Sequence, residues 1–323
     1  MKPEIETIKT PTGHICIMQG EKSKPLEFLS LGDYGKEKNI KADFMGMTKE
    51  INGVPHGDLL PLEEKWVITI STQYGCSMGC SFCDVPLVGK GENATFNDLI
   101  NQVKHALDLH PEIKQAKRIN LHYARMGEPT FNENVITSAY YLKGYFDKLG
   151  FGFHPVVSTI MPKDNTDAPS FLHRWLALKN DFNGEAGLQL SINTTDDDIR
   201  CDTMPHAINF RYIQRCLHQK LERMKGRKIA LNFALTDAPV DAKELRHYFD
   251  PQYFMCKITP MHNTKAVIKN GMITDGGYDF YYPYKQVEED LKAEGFDVLV
   301  FIPSKEEDES RITCGNAILA DRV

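Results

Sequence analysis

Apolar and polar positions settle into a strand–helix rhythm from residue 66 onward. Residues 66–71 (Trp-Val-Ile-Thr-Ile-Ser) are β-branched and compact and read as a buried strand. Further strands are expected at 118–123, 153–158, 187–193, 228–235, 253–259 and 296–301. Between them the apolar spacing predicts helices over 97–109, 132–149, 170–178, 210–224, 241–249 and 284–294. Thr95 is placed to cap the first, with Leu99, Val103 and Leu107 on one stripe. Strands alternating with helices of this length predict βαβ units and a parallel sheet. Six such units suit an open or partial (β/α)6 barrel, and a doubly wound sheet leaves the same local pattern. In either, the ligand site lies at the carboxyl ends of the strands. The first 60 or so residues break the rhythm and predict mixed short strands. The expected organisation is therefore an accessory segment over 1–65 and a core over 66–323.

Composition narrows the class. The chain has 323 residues, 41% of them hydrophobic, enough for a full core. The apolar run at 298–303 is far too short to span a bilayer. The opening Met-Lys-Pro-Glu-Ile-Glu lacks the apolar region of a secretory signal. The expectation is a soluble cytoplasmic monomer with no membrane partner. A net charge of −6 counts against a chain whose main work is gripping nucleic acid, though a local basic patch is compatible with it. Lys220, Arg223, Lys225, Arg227 and Lys228 form one candidate patch, or simply a solvated helix end.

Eight cysteines are scattered except for one trio, Cys76, Cys80 and Cys83, spaced C-x3-C-x2-C in the loop after the strand at 66–71. Without an export signal, such a trio points to metal or redox chemistry rather than disulfides. Three thiolates can hold three irons of a cubane and leave the fourth open to a ligand. A zinc site with a distant fourth ligand, or packed structural thiols, are the alternatives. Gly75 and Gly79 let the backbone bend there and free amides toward sulfur.

Other polar groups share the strand-end register. Gly127 and Glu128 follow the second strand, where backbone and carboxylate can meet an ammonium group. Ser158 ends the third strand, Ser191 and Asn193 the fourth, and Asn263 follows the sixth. Each can also be an ordinary cap or turn residue. Cys314 lies after the last strand; alone, it reads as a packed small hydrophobe.

Together these motifs resemble the RlmN/Cfr class of radical-SAM methyl synthases, from about residue 68 to 319. The matching stretches are Ser71 to Cys83, Met126-Gly-Glu-Pro129, Val157 to Thr159, Leu190 to Asn193 with Arg200 and Met204-Pro205 downstream, Cys256 to Asn263, and Cys314-Gly315. The resemblance implies a partial barrel, a [4Fe-4S] cluster on Cys76, Cys80 and Cys83, and S-adenosylmethionine held by Gly127, Glu128, Ser158, Ser191, Asn193 and Asn263. It implies an electron donor such as flavodoxin or ferredoxin, and an RNA or nucleoside substrate methylated on a base carbon. In that class a cysteine matching Cys314 is methylated first, and a 5′-deoxyadenosyl radical then activates the methyl group. A second cysteine, seven residues before the first cluster ligand, resolves the adduct.

The chain departs from that pattern in several places. Thr69 stands at the resolving position and cannot form a disulfide. Either another cysteine such as Cys16 reaches in, or the chemistry is a radical modification other than methylation. Arg125 stands where the class usually has glycine, and Asn193 where it has histidine. The approach to Cys314, Lys305-Glu-Glu-Asp-Glu309, is acidic: it would repel phosphate, or is simply a solvated loop.

Overall fold

Trp66, Ile68 and Ile70 are fully buried, while Val67 and Thr69 between them are only half-buried. That alternation marks a strand with one face in the core and one less covered. The computed structural model describes residues 5–33, 50, 51, 54, 55, 59–272, 274, 277, 278, 280–303 and 305–323.

The strands are β1 (Ile5–Thr10), β2 (Gly13–Gln19), β3 (Pro25–Leu31), β4 (Glu50–Ile51), β5 (Val54–Pro55), β6 (Trp66–Ile70), β7 (Gln73–Gly75), β8 (Lys90–Asn93), β9 (Ile119–Tyr123), β10 (Phe153–Thr159), β11 (Gly187–Ser191), β12 (Ile229–Leu235), β13 (Phe254–Pro260) and β14 (Asp297–Val300). The helices are α1 (Phe96–Asp108), α2 (Asn134–Leu149), α3 (Ala168–Asp181), α4 (Asp197–Thr203), α5 (Phe210–Leu221), α6 (Ala242–Tyr248), α7 (Lys265–Asn270), α8 (Tyr282–Ala293) and α9 (Lys305–Glu309). The seven expected strands are all present. Thr95 caps α1 through a reciprocal pair with Asp98.

One ten-stranded sheet runs β1-β2-β3-β6-β9-β10-β11-β12-β13-β14. From β6 to β14 every pair is parallel and strand order follows chain order. Right-handed crossovers that always step the same way put the crossover helices α1, α2, α3, α5, α6 and α8 on one face. A doubly wound sheet needs a reversal of order, and this sheet has none. The open (β/α) arrangement is therefore the one adopted, as a partial barrel requires. Ile119, Leu121 and Tyr123 of β9, and Ile229, Leu231 and Phe233 of β12, pack under the helices. Asn120, His122, Gln189, Ser191 and Asn232 stay half-buried on the other face. A parallel sheet covered on both sides would show continuous apolar runs instead.

The N-terminal strands extend this same sheet: β3 pairs antiparallel with β6, Leu29 opposite Thr69. The C-terminal tail crosses the open face at that end, where Ile312 packs with Ile15, Leu29 and Leu31. The stretch after the first parallel strand, expected as a plain loop, contains the hairpin β7–β8. Among the described residues no helix is long and apolar enough to cross a membrane.

Candidate active site

The cysteine trio hangs on the hairpin. Gly75 has φ +82°, and a Cβ there would come within 2.3 Å of the Gly89 carbonyl oxygen, so only glycine fits. That carbonyl accepts the Cys76 N–H at 3.0 Å. Backbone N–H groups of Met78 and Gly127 lie near enough to the Cys76 sulfur to favour its thiolate, as does that of Val85 for Cys83. Burial pushes the Cys76 thiol up to about 11. It raises Cys80 and Cys83 further, with the neighbouring thiols adding to it: Cys80 feels Cys76, and Cys83 feels Cys80, Cys76 and Cys314. Met78, Ile160, Met204 and Ala207 form an apolar wall beside them.

Among the described residues no group of three His, Cys, Asp or Glu side chains is arranged to hold a single metal ion. The three thiols are near enough to one another to raise each other's pKa, and neighbouring backbone amides favour their thiolates. Their thiolates are unfavourable there without a compensating cation. That donor set fits an iron–sulfur cluster, which is both cationic in its irons and tuned by amide–sulfur bonds.

Gly127 and Glu128 lie directly against this pocket. Gly127 has φ +96°, and an added Cβ would sit 2.5 Å from Gln73 Cβ. The Gln73 amide locks the arrangement: its oxygen accepts the Glu128 N–H at 2.8 Å, and its nitrogen donates to Gly91 O at 2.7 Å and Asn93 Oδ1 at 2.8 Å. The Glu128 carboxylate is buried. Its Oε1 accepts from Thr130 N, Thr130 Oγ1 (2.8 Å) and Thr159 Oγ1 (2.6 Å), while Oε2 accepts from Ile160 N at 3.1 Å. Burial raises its pKa against the pull of those donors. Glu128 thus ties the tips of β9 and β10, and the geometry leaves Oε2 one lone pair for a further donor.

Ser158 and Ser191 are half-buried on the open face at the ends of β10 and β11. Asn193 is buried with φ +63°. Its Oδ1 accepts the Ala234 N–H at 3.0 Å and its Nδ2 reaches Met204 Sδ at 3.8 Å. Asn263 is exposed, and its backbone N–H donates to Asp308 Oδ2 at 2.8 Å. All follow carboxyl ends of strands, but Asn193 and Asn263 both spend groups on holding loops.

The acidic approach to Cys314 corrects the reading of a solvated loop. It forms α9, and Glu307 and Asp308 turn inward, Asp308 only 3% exposed. Besides Asn263, Asp308 accepts from Thr313 Oγ1 at 2.6 Å, joining the loop after β13 to the loop of Cys314. Cys314 itself is exposed.

Two residues at the site, Gln73 and Arg200, fall in the matching stretches but have no role assigned from sequence. Gln73 carries no motif of its own. Arg200, fully buried, donates to Ile160 O and Ser191 O, both at 3.1 Å, and its charge is felt at Cys80. Burial brings its guanidinium down to about 10.

Cys16 does not face Thr69. Residues opposite one another in a sheet share a face, and neighbours along a strand alternate. Thr69 is opposite Leu29, and Leu29 is opposite Ile15, so Ile15 shares the face of Thr69 and Cys16 points to the other. There Cys16 is buried in the helix-covered core, and burial raises its thiol to about 11.

No family model matches the chain. Dual-specificity RNA methyltransferase RlmN of Campylobacter lari is 26% identical over 190 residues, 59% of this chain and 50% of that protein. A probable RNA methyltransferase of Sorangium cellulosum is 30% identical over 199 residues, 59% of this chain and 46% of that one. RlmN of Lawsonia intracellularis is 31% identical over 184 residues, covering 54% and 48%. The chain spans about half the length of these relatives. The crystal structure of a radical SAM methyltransferase from Sphaerobacter thermophilus has the same fold, with TM-score 0.68 at 19% identity over 99% of this chain and 82% of that one. The chain is thus a divergent relative of the RlmN-type RNA methyltransferases on the fold of a radical SAM methyltransferase.

Proposed function

We propose that the chain is a radical-SAM enzyme that methylates a carbon of a nucleobase in RNA. One observation carries the reading: the loop of Cys314 is tied to the loop of the trio, the Asp84 N–H next to Cys83 donating to the Gly315 carbonyl next to Cys314 at 2.9 Å, and a Cβ on Gly315 would lie 3.8 Å from the Cys83 Cα. Cys76, Cys80 and Cys83 would hold a [4Fe-4S] cluster, with the Gly127 amide steadying the Cys76 sulfur. Bound cluster and S-adenosylmethionine together supply a radical able to attack an unactivated C–H bond. Glu128 would orient the methionyl ammonium through its remaining Oε2 lone pair. Ser158 and Ser191 would hydrogen-bond the ribose or carboxylate, with Asn193 and Asn263 at the same rim. Cys314 would carry the methyl group. An electron donor such as flavodoxin or ferredoxin would reduce the cluster.

A second reading is radical modification of a nucleoside or small molecule without transfer through a protein thiol. Thr69 at the resolving position, with Cys16 on the opposite face, favours it. The deciding experiment supplies the reconstituted protein with reductant, methyl-labelled S-adenosylmethionine and total RNA. Label in an RNA base with matching 5′-deoxyadenosine supports methylation. Deoxyadenosine without labelled RNA moves the substrate to the second reading. A loaded cluster that forms no deoxyadenosine overturns both.

A further inference from the structure

Arg125 follows the tip of β9, two residues before Gly127, and it is 5% exposed. Its Nε donates to Glu27 Oε1 at 2.8 Å, and Nη2 bonds the same oxygen. Glu27 on β3 is fully buried. The guanidinium then reaches the Cys314 loop: Nη2 donates to Arg311 O at 2.7 Å and Nη1 to Thr313 O at 3.3 Å. On the far side of Cys314, Glu27 Oε2 accepts the Leu319 N–H at 3.0 Å. The pair therefore grips the chain both before and after Cys314 and leaves the thiol free.

Burying a guanidinium and a carboxylate together is a poor way to gain stability, because the desolvation cost offsets much of the attraction. What such a pair does well is fix geometry through a planar fork of donors. Arg311, whose carbonyl Arg125 holds, has φ +60°, a backbone state that a non-glycine residue keeps only when its surroundings impose it.

We infer that the Arg125–Glu27 pair is a positioning device that pins the Cys314 loop, so that this thiol stays beside the trio's loop. The inference rests on the methyl-carrying role proposed for Cys314. It also gives Arg125 a reason to stand where related sequences carry glycine.

The test uses the full chain, anaerobically reconstituted, as wild type, Arg125→Lys, Arg125→Ala and the paired Arg125→Met with Glu27→Gln. Three quantities are read: amide hydrogen exchange over 311–319, iron content, and methyl-Cys314 formed per 5′-deoxyadenosine. In Arg125→Ala and the paired variant, exchange over 311–319 should rise at least tenfold while the amides of β6 and β9 and the iron content stay at wild-type level. Methyl-Cys314 per deoxyadenosine should fall at least tenfold and recover in part in Arg125→Lys. Unchanged exchange in the loop, or a wild-type ratio despite faster exchange, overturns the inference. Should Arg125→Ala fail to fold, the charge-neutral pair carries the comparison. Wild-type protein that makes deoxyadenosine but no methyl-Cys314 refutes the role of Cys314 instead, and the exchange data then decide the pinning alone.

Discussion

The backbone N–H of Asp84, the residue after Cys83, donates to the carbonyl of Gly315, the residue after Cys314, at 2.9 Å. The Asp84 carboxylate is buried and accepts the N–H groups of Lys265 (3.0 Å) and Ala266 (2.9 Å) at the start of α7. The trio's loop, α7 and the C-terminal loop thus form one unit, and a disturbance in one should reach the others.

Gly315 is the joint of that unit. It has φ +83°, and an added Cβ would stand 3.2 Å from the Phe82 carbonyl oxygen. Gly315→Ala should cost about 1–2 kcal/mol, read as a lower urea midpoint. The rate at which iodoacetamide alkylates Cys314 should also change. Wild-type stability and reactivity together would show that the two loops are not coupled.

Gly127→Ala should be more damaging. Its Cβ would meet Gln73 at both side chain and backbone, 2.5 and 2.8 Å away, from a backbone that already has positive φ. A loss of about 2 kcal/mol or more is expected, together with displacement of the amide that faces the Cys76 sulfur. Iron retained per chain after reconstitution should drop below that of wild type. Full retention would argue that this amide does not support the site.

Cys16→Ala should leave the chemistry alone. The thiol lies on the helix-covered face, so its removal should cost only about 1 kcal/mol of packing. Deoxyadenosine formation and modification of Cys314 should match wild type. Loss of turnover in this variant would mean that Cys16 reaches the site after all.

His262 predicts a pH dependence of stability. Burial lowers its pKa from 6.5 to about 4, Lys257 assisting and Asp308 opposing. The folded chain therefore refuses a proton that the unfolded chain accepts between those values. Stability from this group is complete above about pH 6.5 and is lost as pH falls toward 4, by up to about 3 kcal/mol. Urea midpoints at pH 7.5 and 5 should diverge in wild type and converge in His262→Gln, whose amide can still pair with the Tyr278 hydroxyl. Equal divergence in both proteins would assign the effect elsewhere.

The strands were legible because each alternates a helix-facing and an open-face residue, as in Ile119-Asn-Leu-His-Tyr123. The capped α1 was legible for the same local reason. The open-faced sheet was not, since winding direction is a property of strand order. Short polar α4 and α9 carry no apolar stripe, α7 (Lys-Ala-Val-Ile-Lys-Asn) is under two turns long, and β8 (Lys-Gly-Glu-Asn) has little β propensity. Asp308 reads as one more charge in an acidic run because its donors sit in other loops, Asn263 among them, 45 residues away in sequence. Arg125 and Glu27 are 98 residues apart, so no local pattern announces their pairing. The thiols were found because one short loop holds three of them; Cys314 stood out only through its resemblance to the methyl synthases.

The most direct test of the account is peptide mass spectrometry on the anaerobically reconstituted protein after exposure to S-adenosylmethionine and reductant. The account predicts a methyl group on Cys314 and on no other cysteine. An unmodified Cys314 in a protein that produces 5′-deoxyadenosine would contradict it.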